Sequence, residues 1–199
     1  MVQFEPRDLT PDPASRRCEM FFYLGVSVGK LLERSDPVVI SRGGCQLMEE
    51  LEHYFSNAAV QSMKLLVAPT GPLFPTCSMD IVEIHEPFRP LIKKWENRPV
   101  YECLYTPVCT FPLDYVQVTY SLCELLTMLY SKLCDESCVA NVHVFETVLR
   151  LDRQLNSKIY DVLNRQLSAK ASELCQQQLR VIQAEQCNSN LRSKARSKA

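Results

Sequence analysis

Cys134-x3-Cys138, followed by His143, is the grouping whose residue types and spacing come nearest to coordination chemistry. Thiolate sulfur and imidazole nitrogen are the ligands of tetrahedral zinc, and Cys103-x5-Cys109 could supply the second half of such a site. Specific zinc motifs pair two tight knots in glycine-rich loops. Here Cys134 closes an apolar helix pattern and His143 falls inside another. Buried thiols of a helical core explain these residues more simply, because free cysteine packs as a small hydrophobe. No metal ligand and no cofactor site is assigned.

The ten thiols and the histidines His53, His85 and His143 could also supply a nucleophile and its base. With so many thiols some proximity is expected by chance, and no local nucleophile signature accompanies any of them. Arg42-Gly43-Gly44 lacks the further glycines and the Lys-Ser/Thr of a phosphate cradle. There is no GxSxG elbow, HExxH pair or DxDxDG loop. No catalytic residue is assigned, and a cysteine-dependent enzyme is the weakest of three readings.

Two segments could carry recognition instead. Glu86–Arg98, EPFRPLIKKWENR, places the only Trp among basic side chains. Its candidate partner contacts are Phe88, Arg89, Lys93, Lys94, Trp95 and Arg98, since Trp and Arg are favoured hot-spot residues. The competing reading packs Phe88, Leu91, Ile92 and Trp95 inward at helical spacing and leaves the charges to water. The C-terminal stripe Leu155, Ile159, Leu163, Leu167, Ala171 and Leu174 is the second segment, with Leu163, Leu167 and Leu174 as candidate contacts. Asp152 and Gln166 at would-be inward positions argue against a long homodimeric coiled coil, though a homo-oligomer stays open. Arg192, Lys194, Arg196 and Lys198 form a basic tail without the basic-aromatic surface of a nucleic-acid site.

The elements that must position these residues follow from periodicity and breakers. Asp12-Pro13 supplies an N-cap and a first-turn proline for a helix to about Arg34, burying Phe21, Phe22, Leu24, Val28, Leu31 and Leu32. Gly25 and Gly29 lie on one face and allow a neighbour to approach. Ser35-Asp36-Pro37 ends the helix. A second helix is expected over about Cys45–Phe55. Met63–Ala68 and Met79–His85 read as the strands of a hairpin, the first equally as a helix from Asn57. A short helix over Leu91–Glu96 and a strand over Val100–Thr106 follow.

From Leu113 to Cys134 the only charges are Asp114, Glu124 and Lys132. Such a helix should be the buried axis of the fold. Asp135-Glu136-Ser137 then caps a helix with Val142, Phe145, Val148, Leu149 and Leu155 inward. One helix over 138–186 would span about 75 Å, beyond the about 33 Å diameter of a compact chain of this size. A break near Asn156-Ser157, or a projecting distal half, is expected.

Composition agrees with a helical globular chain: 46% of residues are apolar and 23% charged. Five glycines are too few for a turn-rich sandwich, and no proline follows Pro112, so nothing forbids helix beyond it. A net charge of −1 creates no field toward phosphate or membrane. No apolar run reaches the roughly 20 residues of a membrane span, and the N-terminus lacks a signal-peptide core. Cytoplasm or nucleus is therefore the expected compartment, with reduced cysteines.

The expected fold is mostly α, a compact bundle of four to six helices, with a small β-hairpin between residues 62 and 106 as the α+β alternative. Residues 1–12 form a disordered tail, 13–186 one helical domain whose part at 157–186 is able to project, and 187–199 a disordered basic tail. The leading function is a non-catalytic adaptor or complex subunit binding one or more proteins through 86–98 or the C-terminal helix. A helical carrier of an apolar ligand or lipid is the alternative. Binding to nucleic acid is not expected.

Overall fold

In the computed structural model, residues 13–71 and 87–196 are described. The expected tail of residues 1–12, the expected strand Met79–His85, His85 and Cys77 lie outside them. The fold is mostly helical, with one two-stranded antiparallel hairpin. The chain divides into two units, residues 1–152 and 153–199.

In the first unit α1 spans Pro13–Leu32, α2 Pro37–Phe55 and α3 Ala58–Val67. The strands β1, Lys93–Trp95, and β2, Arg98–Val100, follow. Then come α4, Tyr115–Leu133, α5, Glu136–Ala140, and α6, Val142–Leu155, whose last turn crosses into the second unit. Side-chain caps set the starts. Asp36 accepts the Val38 N–H, Asn57 that of Val60, Asp114 that of Gln117 and Asp135 that of Ser137.

α2 begins eight residues earlier than the sequence predicts, because Asp36-Pro37 both ends α1 and starts α2 as N-cap and first-turn proline. Arg42-Gly43-Gly44 is thus helix interior, not a breaker. Its glycines allow contact: a Cβ on Gly43 would lie 2.7 Å from Leu31 Cδ2, and one on Gly44 2.6 Å from Leu151 Cδ2. α2, not α4, is the buried axis, with every residue from Val39 to Met48 buried. α4 buries one face, Leu122, Leu126, Leu129 and Leu133, while Val116, Tyr120 and Met128 are exposed.

The helix expected over Leu91–Glu96 is a hairpin instead. Lys93 pairs with Val100 and Trp95 with Arg98, around a two-residue turn at Glu96 (φ 45°) and Asn97 (φ 65°). Two consecutive left-handed residues fit a tight hairpin turn, and asparagine tolerates that conformation. The strand expected over Val100–Thr106 ends at Val100, and the strand expected over Met63–Ala68 is α3. Residues 69–71 add an edge to β1 through Lys94 N–H to Pro69 O and Gly71 N–H to Lys94 O, both 3.0 Å.

α6 also turns a different face inward. Val144, Thr147 and Leu151 are buried, whereas Val142, Phe145 and Leu149 of the expected inward set are exposed. The Cys45 thiol donates to Thr147 O, and Leu151 occupies the notch at Gly44, which fixes this register. Leu155 is buried as expected.

In the second unit the ladder changes from α to π over Asn156–Tyr160, with Asp161 N–H bonded to Asn156 O. This turn sits at the expected break. α7 then runs Asp161–Arg196, into the range assigned to the basic tail. Its described side chains from Leu167 onward are all exposed.

Candidate functional site

α1 and α4 pack side by side and run parallel. The Phe21 ring stacks on Tyr115 at 6.0 Å, Gly25 faces Leu122 and Leu125, and Lys132 Nζ donates to Leu32 O and Arg34 O at the other end. Parallel neighbours require a long connection, here supplied by α2, α3 and the hairpin. On the outer side the two helices leave an open groove of about 500 Å³. Phe22, Val26 and Gly29 line it from α1, and Val118, Leu122 and Leu125 from α4. Each set follows a spacing of four and then three, so each helix presents one face along about two turns. Residues Phe111–Leu113 border the groove, and Asp114 and Gln117 make one end polar. Nothing lies within 4 Å of a Cβ built on Gly29, so the floor is open there.

A second cavity of about 770 Å³ lies beyond the 111–113 segment, which the two share, and takes in Tyr23, Tyr54, Cys18 and Cys109. Burial pushes the Tyr23 hydroxyl well above the ordinary tyrosine range, helped by its hydrogen bond to Glu19 at 2.9 Å.

Inside the unit, one polar stripe of α2 holds the irregular chain. Glu50, fully buried, accepts four hydrogen bonds: Gln46 Nε2 and Glu102 N–H on Oε1, and Cys103 and Leu104 N–H on Oε2. Burial pushes its carboxyl up, while these donors pull it back. Gln46 bonds both the N–H and the C=O of Leu91. From α1, Ser27 adds to this hold: its Oγ accepts the Tyr105 N–H and donates to Tyr23 O. His53 Nδ1 lies 2.9 Å from Tyr101 Oη, whose hydroxyl burial pushes up to about 12. This stripe has no spare acceptor at Glu50, so its chemistry is positional: it clamps residues 91–105 onto α2.

The sequence-predicted contacts divide. Lys93 Nζ pairs with Glu102 at 2.6 Å, and Lys94 Nζ caps α3 through Leu65 O and Leu66 O. Phe88 lies under the buried Arg42 guanidinium, 5.9 Å from its ring centre. Arg89, Trp95 and Arg98 face outward, with Trp95 opposite Arg98 across the hairpin. In the second unit Leu163 is half-buried and Leu167 and Leu174 are exposed. The competing inward packing holds for Ile92 but not for Leu91, which is 54% exposed.

Among the described residues no three His, Cys, Asp or Glu side chains gather as a metal site requires. Of Cys134, Cys138 and His143, Cys138 is buried, Cys134 is exposed, and His143 faces Glu146 at 3.8 Å. Cys175 is exposed rather than packed, because its stretch of α7 has no core against it. Cys18, Cys45, Cys109, Cys123, Cys134, Cys138 and Cys175 are free thiols. Burial raises the thiols of Cys18, Cys138 and Cys45, the last to about 12, away from the thiolate form.

The groove and the clamp went unassigned at the sequence level. The groove's signal is Gly25-x3-Gly29, read only as a place of close approach. The clamp's signal is Gln46, Glu50 and His53 at helical spacing inside an apolar helix. No helix among the described residues is long and apolar enough to cross a membrane. No known protein family, no curated protein and no solved structure matches the chain.

Proposed function

We propose that the chain is a non-catalytic protein-interaction module whose first unit receives an amphipathic helix of a partner protein between α1 and α4. The observation that carries this reading is the open apolar groove with Gly29 on its floor. Two parallel helices that each leave one face unfilled form the trough into which a third helix packs in bundles. A partner helix offering apolar residues at positions i, i+3, i+4 and i+7 matches the lining. Asp114 favours a basic residue at that end of the partner. Trp95 and Arg98 on the hairpin add a second contact of hot-spot composition.

A carrier of an apolar ligand is the second reading, since the groove volume falls in the range of small-molecule sites. A carrier would need a closed apolar cavity, and the groove is open. That openness favours side chains of a partner over a sequestered lipid.

Gly29→Met tests the assignment, because the new side chain enters the groove while the fold has room for its Cβ. Affinity purification from cells with quantitative mass spectrometry would compare wild type, Gly29→Met and Trp95→Ala/Arg98→Glu. A stoichiometric partner lost from Gly29→Met, with thermal stability no lower than wild type, supports the groove. A partner lost only from the hairpin variant moves the contact to β1–β2. No reproducible partner, together with a lipid in solvent extracts of wild type alone, replaces the module by the carrier.

A further inference from the structure

We infer that α7 pairs with α7 of a second copy, antiparallel, along a seam from Leu167 to Ala184. This inference uses residues other than the groove and stands independently of it. Leu167, Leu174 and Val181 recur every seven residues and are 67%, 50% and 58% exposed. Lys170, Gln177 and Ala184 interleave with them at alternating steps of three and four. That alternation is the repeat of two-helix seams. In this register Gln166 stands beside the seam, not in it, and Asp152 lies before it. The features that disfavour a long coiled coil therefore leave this shorter stretch intact.

Charge decides the direction. Glu173 and Arg180 each precede a seam residue, Leu174 and Val181, and so flank the seam on one side. With Leu174 level with Gln177 of the copy, Leu167 meets Ala184 and Lys170 meets Val181. Glu173 of each copy then faces Arg180 of the other, and two-fold symmetry makes the ion pair twice. A parallel arrangement would pair Arg180 with Glu185, but it would set Lys170 level with Lys170 of the copy inside the seam and leave Glu173 opposite Gln178. Arg180 has no ion-pair partner among the described residues, and is available for this contact. Glu173 holds Lys170 at 2.7 Å and Gln177 at 3.2 Å, drawing both polar ends out of the seam toward its rim. Lysine and glutamine in the seam keep the pairing weak and reversible.

Sedimentation equilibrium of the full chain across the micromolar range tests this, with wild type, Glu173→Arg, Arg180→Glu and the double exchange Glu173→Arg/Arg180→Glu. Wild type should shift from one-chain to two-chain mass. Either single reversal sets like charges face to face at two symmetric places and should raise the dissociation constant about tenfold or more. The double exchange should return it to within about threefold of wild type. Circular dichroism checks that helix content is equal in all four. Gly29→Met, which fills the groove, should leave the dissociation constant unchanged. A wild-type chain that stays single up to hundreds of micromolar overturns the inference. So does a dimer indifferent to the single reversals, or one not restored by the exchange.

Discussion

Glu50 Oε2 accepts the backbone N–H of Leu104 at 2.7 Å, tying the middle of α2 to a segment fifty-four residues further along the chain. The same carboxylate takes the N–H groups of Glu102 and Cys103. Residues 101–112 lie outside any helix or strand, so these bonds replace a ladder for that stretch. Backbone polar groups buried without partners are costly, which is why a charged side chain can hold an inside position. The clamp also orders the segment leading to Phe111–Leu113, which borders the groove.

Glu50→Ala should therefore lower unfolding free energy by about 3–5 kcal/mol, since three N–H groups lose one buried acceptor together. Urea denaturation reads the loss. Amide exchange at Glu102, Cys103 and Leu104 should quicken more than at Leu126. A loss below about 1 kcal/mol would mean that water serves these groups as well as the carboxylate does.

Two glycines in neighbouring helices should respond to alanine with opposite signs. At Gly29 a Cβ meets nothing within 4 Å, so the helix gains about 0.5–1 kcal/mol from reduced backbone freedom in the unfolded chain. At Gly44 it would sit 2.6, 3.2 and 3.5 Å from three atoms of buried Leu151, and shifting one methyl does not clear them. Overpacking there should cost about 1–3 kcal/mol. Thermal unfolding of the two variants side by side checks the signs, and equal shifts would refute the notch at Leu151.

These residues also show what the sequence could and could not reveal. Helix existence was legible because caps such as Asp114 and breakers such as Pro37 act locally. The start of α2 was misplaced because Arg42-Gly43-Gly44 looks like a loop until Leu31 and Leu151 supply the reason for its glycines. The hairpin lies within the expected 62–106 range, but its strands were misplaced because Leu91, Ile92 and Trp95 fit helical spacing, and nothing within seven residues betrays that Gln46 holds Leu91 extended. α6 kept its type but rotated, since Val142, Phe145 and Leu149 are as apolar as Val144 and Leu151. Only the thiol of Cys45 and the gap at Gly44 choose between those faces. The candidate contacts Trp95, Arg98, Leu167 and Leu174 are exposed. The groove was not legible, because it depends on α1 and α4 meeting across the eighty-two residues between Leu32 and Tyr115.

Stability should also fall on mild acidification, through His53. Burial holds its imidazole below the ordinary histidine value of 6.5, opposed in part by Gln61, with smaller effects of the Lys64 ammonium (lowering) and Glu49 (raising). Tyr101 Oη faces Nδ1, and Nε2 has no hydrogen-bond partner. The unfolded chain takes up the proton near pH 6.5, while the folded chain resists it. The His53 contribution is therefore complete above 6.5 and is lost as pH falls from there toward the lower folded value. His53→Gln removes the titration while keeping a polar partner for Tyr101. Between pH 7.5 and 5.5 wild type should lose up to about 1 kcal/mol more than this variant, read from urea midpoints at each pH. Parallel pH profiles would show that the folded chain accepts the proton on Nε2 without cost, and that water reaches that nitrogen.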